Sequence, residues 1–276
     1  MTDDAARRRT SRPWAEGALL ALTTLTVAPV RAARVDRATA GVAMSLAPGV
    51  GLVLGGVLAV EAAVLRRLFP TVIGAVLVAA VVVASAALLT RAMHLDGLAD
   101  TVDGLGSYGD PERALAVMAA PDVGAFGVAA IALTLLVDVA ALAVSIAGGH
   151  GGSALVLAVA TGRLALPFAC TPRTPAARPT GLGAAVAGTT SVRGAGVGAL
   201  LVVVAGGLLR SSEGAGVGGG LVRAGIAVVL GLGVAHLVRW HAVRRLGGIT
   251  GDVLGALVEV ATLVALVALA GSAPRR

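Results

Sequence analysis

Asp96, Asp100 and Asp103 hold the densest chemistry in the chain. They lie in the run HLDGLADTVDGLGS at 94–107, and their i, i+4, i+7 spacing puts three carboxylates on one face of an α-helix. Like charges stacked so closely repel one another unless a cation sits among them. Hard oxygen donors in this pattern suit Mg²⁺ or Mn²⁺, which keep some water and bridge to substrate phosphates. The three aspartates are therefore the expected catalytic groups and metal ligands, with Mg²⁺ as the expected cofactor. Gly97 and Gly104 each follow an aspartate, where a missing side chain lets a ligand or another helix approach the backbone. His94, two residues ahead of Asp96, is a further catalytic candidate as ligand or proton carrier, and Ser107 closes the run as a candidate substrate contact.

A solvated helix end often carries acids, so the setting has to decide. Charged residues make up only 13% of the chain, yet Asp96, Asp100, Asp103, Asp110 and Glu112 fall close together. Carboxylates beside or inside a bilayer are expensive, and function is the default reading for them. A second polar block, LGGITGDVLGALVE, spans Leu246 to Glu259. Gly247, Gly248 and Gly251 mark a loop whose backbone N–H groups can face an anion, and Thr250 is placed to cap the next helix. Asp252 and Glu259 share a face of that helix. Glu259 lies about two turns into an apolar stretch and needs a metal, an arginine, a substrate group or a structural ion-pair partner. Arg163, inside another apolar stretch, can answer a phosphate or one of these carboxylates. Asp122, in PDVGAFG, either caps a helix or joins the site. Asp138 has no evident role, and His150, in a GGHGG turn, is assigned away from the chemistry. His236 and His241 sit near Arg239, Arg244 and Arg245, where a headgroup or nucleotide contact is open.

The elements that carry these residues follow from composition. The chain has 276 residues, 57% of them hydrophobic, and a mean hydropathy of +0.92. A soluble domain carries roughly 25% charged residues, so most of this surface must face lipid. The expected fold class is all-α, a polytopic membrane helix bundle of about seven spans (six to eight). They are placed near 41–65, 69–90, 124–147, 153–170, 194–209, 220–238 and 253–271, at roughly 20 apolar residues each. The fifth is short, with a start inside 182–188 as the alternative. Abundant Gly and Ala suit close helix approach. Residues 14–30 are broken by Glu16 and threonines and flanked by arginines (Arg7, Arg8, Arg9 and Arg12 before, Arg31, Arg34 and Arg37 after), which predicts an interfacial or re-entrant helix rather than a crossing. The expected organisation is an N-terminal basic segment, 1–40, followed by one transmembrane catalytic domain, 41–276. There is no cleavable signal pattern, and the single cysteine, Cys170, excludes an intrachain disulfide.

Net charge is +7, all basic side chains being Arg. Loop arginines orient a membrane protein and meet anionic headgroups, so no nucleic-acid partner is expected. The lack of Lys excludes Schiff-base and P-loop chemistry. Threading seven spans from a cytoplasmic N-terminus puts the loops 91–123, 171–193 and 239–252 on the cytoplasmic face. The protein is thus expected in the cell (inner) membrane with that face active.

The 94–107 run resembles the signature of the cobalamin synthase (adenosylcobinamide-GDP ribazoletransferase) family of integral membrane enzymes. The resemblance covers most of the chain. Pro48, Gly51 and Gly55 match a proline and spaced glycines of an early span, and Arg163 matches an arginine before the central loop. ARPTGLG at 177–183 resembles AR-x-E-G-L-G, and 246–259 resembles LGG-x-TGD-x-LGA-x-x-E. The chain departs at Thr180, where glutamate is usual, and at AAPDVGAFG, which lacks a Lys/Arg-Asp-Ser form. It departs again at Asp138, where Lys or another polar residue is expected, and at TTLTVAP, which lacks an arginine.

The resemblance implies that a hydroxyl of α-ribazole, or of its 5′-phosphate, attacks the phosphate joining cobinamide to GDP and releases GMP. It implies corrinoid-nucleotide and ribazole substrates in a lipid bilayer, and leaves the oligomeric state open, a homo-oligomer included. It implies substrate contacts at Gly97, Gly104, Ser107, Asp122, Arg163, Gly181, Gly183, Gly247, Gly248, Thr250, Gly251, Asp252 and Glu259. Two other readings remain. A CDP-alcohol phosphatidyltransferase also has an aspartate-rich motif, but with Ala-Arg after Asp-Gly and a longer spacer. A carboxylate-based cation transporter places its ionisable groups near mid-bilayer, often on internal repeats, whereas these cluster at one end.

Overall fold

The structure, a computed structural model, describes residues 13–30, 32 and 35–271. Those residues form eleven α-helices: α1 Pro13–Leu25, α2 Arg37–Leu68, α3 Val72–Leu89, α4 Met93–Gly106, α5 Pro111–Val117, α6 Ala125–Ala147, α7 Gly151–Ala169, α8 Gly181–Val186, α9 Val192–Arg210, α10 Val217–Leu246 and α11 Gly251–Ala270. A single π-helical turn, Ser211–Ala215, follows α9. No strand occurs among the described residues; Ala176 and Ile249 form an isolated bridge between loops.

Helix limits follow local chemistry. The Asp36 carboxylate accepts from the Thr39 N–H at 2.8 Å to start α2. Thr71, Ser191 and Thr250 cap α3, α9 and α11 in the same way, each satisfying an N–H that the first turn leaves unpaired. Gly247, at φ +79°, ends α10 in the left-handed conformation that a side chain resists.

Seven helices are long and apolar enough to cross a membrane: α2, α3, α6, α7, α9, α10 and α11. The chain is a multi-pass membrane helix bundle, and each expected span overlaps one of these helices. The alternative early start of the fifth span is corrected. Residues 181–186 form the separate helix α8, and Gly188 at φ +73° breaks the chain before Ser191 caps α9. Helix α1 has 13 residues, about 20 Å of helix against a hydrocarbon core of about 30 Å. It lies along α2, and its exit is tied to the end of α3 by the Val27 N–H donating to the Leu89 carbonyl at 2.9 Å. The expected flanking arginines Arg7, Arg8, Arg9, Arg12, Arg31 and Arg34 lie outside the described residues.

Helix α7 is the axis of the bundle, buried along nearly its whole length. Small residues make this possible. A Cβ on Gly51 or Gly55 of α2 would stand 2.7 Å from the α7 backbone at Ala160 or Val156. Gly162 of α7 admits Thr262 and the Val258 carbonyl of α11. Between such helices dispersion acts over closely approached backbones, the usual source of association in lipid. With α7 fixed, α2 and α11 pack against it, and α4, outside the spans, leans on α11 and α6.

The same end of the bundle gathers the three polar loops. The Arg178 guanidinium donates to the Leu115 carbonyl at 2.6 Å, and Arg245 donates to the Ser107 carbonyl at 3.1 Å. Ala177 N–H donates to the Ile249 carbonyl at 3.0 Å, and Ile249 N–H to the Pro175 carbonyl at 2.9 Å. Arg37 donates to the carbonyls of Ala184 and Ala187. Loops 91–123, 171–193 and 239–252 thus form one polar layer, as span threading requires.

Candidate active site

The two polar sequence blocks meet where α4 crosses the start of α11. Gly97 makes the meeting possible: a Cβ there would lie 2.7 Å from the Asp252 carbonyl oxygen and 3.0 Å from its Cα. Gly255 returns the fit from α11, lying against the backbone of His94 and Gly97. Asp96 is exposed, while Asp100 and Asp252 are partly buried. Burial raises the Asp100 carboxyl, and the charges of Asp96, Asp252 and Asp103 push it further, with Arg178 opposing, to about 6. Asp252 therefore belongs to the same electrostatic cluster as α4, though 152 residues separate it from Asp100 (252 − 100).

Asp103 shares the helix face but does different work. It is 8% exposed; one carboxylate oxygen accepts from the Gly124 N–H at 2.7 Å and the other from the Gly127 N–H at 2.9 Å. Both N–H groups belong to the start of α6, where a carboxylate also meets the positive end of the helix dipole. Through these two bonds the Asp103 oxygens hold the start of the next span in place. Asp122, expected as cap or site residue, is not the cap; Gly124 is the N-cap residue, and Asp122 stays exposed on the preceding loop.

His94 is also displaced from the open face. It is 2% exposed with neither ring nitrogen hydrogen-bonded, and it lines a small apolar cavity with Leu25, Met44 and Leu166. Burial first, and then the charge of Arg163, hold its imidazole well below the usual range, so it is neutral at pH 7.

The remaining expected contacts divide into packing and site. Gly104 accommodates Met118, whose Cγ would be 2.4 Å from an added Cβ; Gly183 faces the Ile249 carbonyl at the same distance, and Gly248 faces Ala176 and Ala177. These glycines seat neighbouring segments. Ser107 donates to the Gly104 carbonyl at 2.7 Å, closing the end of α4. Thr250 accepts from the Val253 N–H and donates to Asp252 Oδ2 at 3.2 Å, orienting that carboxylate. The cap leaves the N–H groups of Gly251 and Asp252 at the open end of α11. Gly181, at φ +89°, and Gly247 are turn glycines with open space around them. Arg163 and Glu259 stand apart from this face, lining an interior cavity with Asp138.

Arg178 was not singled out from the sequence, yet it is the cation that bears on Asp100. The signal was present: it is the arginine of the ARPTGLG block.

The acidic face matches a divalent-metal site in donor chemistry. Asp96, Asp100 and Asp252 are hard oxygen donors, and the raised Asp100 reflects burial first and then the repulsion of its neighbours, both of which a cation would offset. Among the described residues no three His, Cys, Asp or Glu side chains close into a preformed cage. Mg²⁺ is ordinarily held by one or two carboxylates together with water and substrate phosphates.

Residues 17–270 match the cobalamin-5-phosphate synthase family. A relative from Frankia casuarinae named adenosylcobinamide-GDP ribazoletransferase is 43% identical over 263 residues, 92% of this chain and 94% of its own length. A relative of the same name from Nocardioides sp. is 43% identical over 255 residues, 91% of this chain and 96% of that one. Another of that name from Stutzerimonas stutzeri is 39% identical over 256 residues, 91% and 96% of the two chains. No solved structure matches. With the family match running nearly end to end and both of its polar blocks meeting on one face, the chain belongs to the cobalamin-5-phosphate synthase family.

Proposed function

We propose that the protein is an adenosylcobinamide-GDP ribazoletransferase whose reacting phosphates lie on the face formed by Asp96, Asp100 and Asp252. The observation that carries this assignment is the Gly97–Asp252 contact, which unites the two polar blocks at one end of the bundle. In the reaction, a hydroxyl oxygen of α-ribazole, or of its 5′-phosphate, bonds to the phosphorus attached to cobinamide. The bond from that phosphorus to the GMP oxygen breaks. GMP leaves, and the product is adenosylcobalamin or its 5′-phosphate.

Such a transfer demands alignment and charge neutralisation more than covalent help from the protein. Asp96, Asp100 and Asp252 would hold Mg²⁺, which when bound neutralises charge on the pyrophosphate. The Gly251 and Asp252 N–H groups at the start of α11 offer donors to a phosphate oxygen. Arg178 balances the carboxylates from the opposite loop, and Asp103 positions the face by fixing α6. The hydroxyl proton passes to a carboxylate of this face, whereas the His94 ring is buried in a small cavity.

The membrane is assigned as the cell membrane, with the acidic face cytoplasmic. Arg37, Arg91, Arg113, Arg173, Arg178, Arg193, Arg239, Arg244 and Arg245 lie at that end, against Arg66, Arg67, Arg210 and Arg223 at the other, in line with the positive-inside bias. The test uses the full chain in lipid nanodiscs with adenosylcobinamide-GDP and either α-ribazole or its 5′-phosphate. GMP release that requires one of these acceptors and stops with EDTA supports the assignment; metal-independent release refutes the Mg²⁺ role, and no release refutes the function.

A further inference from the structure

The family reaction leaves one group of charges unused. Asp138 of α6, Arg163 of α7 and Glu259 of α11 line a common cavity of about 60 Å³ inside the bundle, walled by apolar side chains such as Leu58, Val82 and Leu142. Asp138 is 6% and Arg163 5% exposed. Neither Asp138 Oδ1 nor Arg163 Nε has a hydrogen-bond partner among the described residues, although each is deeply buried at membrane depth. An unpaired buried polar group costs about 1–3 kcal/mol, more when charged, and an ionisable residue inside a bilayer is retained for a purpose. Asp138 lies within the field of Glu259, and Glu259 within that of Arg163. Two carboxyl groups and a guanidinium thus face a space large enough for a few water-sized groups.

The chamber reaches the helix ends next to the acidic face. Thr90 at the end of α3 and Leu95 at the start of α4 line it, and Leu95 immediately precedes Asp96. A substrate with its pyrophosphate on the acidic face could therefore extend a short arm into the bundle. The space excludes a ring system and suits a terminal group of three or four heavy atoms. That group must donate to carboxylates and accept from a guanidinium N–H while remaining neutral enough to leave water. A primary carboxamide does both: its NH₂ offers two donors and its C=O accepts.

We infer that the Asp138–Arg163–Glu259 chamber is a carboxamide subsite that receives one amide arm of the corrinoid substrate. This rests on the ribazoletransferase reading, because cobinamide is the amide-bearing partner. The subsite reads the substrate by hydrogen bonding rather than by aromatic stacking, which suits a chain with only 2% aromatic residues. It also gives Asp138 a hydrogen-bonding role at a position where the family resemblance leads one to expect a different polar residue.

The test uses the full chain in nanodiscs and a series of adenosylcobinamide-GDP derivatives, each with one carboxamide hydrolysed to the acid. An added carboxylate facing Glu259 is repelled and loses the amide donors. One isomer should therefore lose at least about tenfold in kcat/KM, through KM, equivalent to about 1.4 kcal/mol, while the others stay within about twofold. Glu259→Gln removes a charge from the wall and should recover that isomer several-fold relative to the parent substrate. Isomers all within about twofold in the unmodified protein would overturn the subsite. So would a folded variant that shifts every isomer and the parent by one factor. Absent GMP release from the parent substrate would instead refute the ribazoletransferase reading.

Discussion

Asparagine at Asp100 should stabilise the metal-free protein while abolishing its response to Mg²⁺. Burial, together with the charges of Asp96, Asp252 and Asp103, lifts the Asp100 carboxyl from 3.8 to about 6. The folded state thus holds this proton more tightly than the unfolded chain does, so stability falls as pH rises between the two values and the loss is complete above pH 6. That difference would correspond to roughly 3 kcal/mol at full effect. Asp100 is only partly buried, and solvent screening reduces this to about 1 kcal/mol. Asp100→Asn removes the loss, raising the melting temperature by about 2–4 °C at pH 7.5 in EDTA, with no gain near pH 4. Mg²⁺ should then stabilise the unmodified protein and have little effect on the variant. The assay is thermal unfolding in nanodiscs at both pH values, with EDTA or Mg²⁺. An Asp100→Asn protein that melts at or below the parent in EDTA at pH 7.5 would show that the carboxylates are not a repulsive cation site.

Three further outcomes probe the neighbouring parts. Asp103→Ala should cost about 2–3 kcal/mol even in EDTA, because two N–H groups of α6 lose a charged acceptor; Asp103→Asn, which keeps one acceptor oxygen, should cost roughly half, and chemical denaturation compares them. Gly97→Ala should cut turnover at least about tenfold by forcing α4 from the Asp252 backbone, at about 1–3 kcal/mol of overpacking. Gly49→Ala, whose Cβ would meet nothing within 4 Å, is the control that keeps full turnover. Arg163→Met should destabilise by about 3 kcal/mol, since the interior Glu259 loses its cation, and adding Glu259→Gln should restore part of that; a simply additive double variant would mean that the two charges do not interact.

Much of the architecture was legible because lipid imposes a simple rule. A chain that must satisfy its backbone in a bilayer forms long apolar helices, and their length and spacing appear directly in the sequence. The fifth span showed the limit: an apolar stretch around 182–188 has the composition of a helix continuation, but the left-handed Gly188 and the Ser191 cap divide it. The acidic helix was equally legible, since three aspartates on one face follow from spacing alone. Spacing could not show which of them faces outward. Asp103 differs from Asp96 and Asp100 only by the arrival of α6, a tertiary contact 21 residues away in sequence. The same holds for Gly97, Gly104, Gly183 and Gly248: absent side chains announce a close approach, but whether a ligand or a helix approaches depends on packing. Arg178 and the interior trio required the folded bundle, because loop and helices that meet there are remote in the chain.

The most direct measurement is GMP release from adenosylcobinamide-GDP and α-ribazole by the full chain in nanodiscs with Mg²⁺, compared with Asp252→Asn. The account predicts one GMP per cobalamin formed by the parent, and at least about a hundredfold loss in a variant whose melting curve in EDTA matches or exceeds the parent's. Parent-level release by Asp252→Asn would contradict the assignment of the α4–α11 face as the place where the phosphate is transferred.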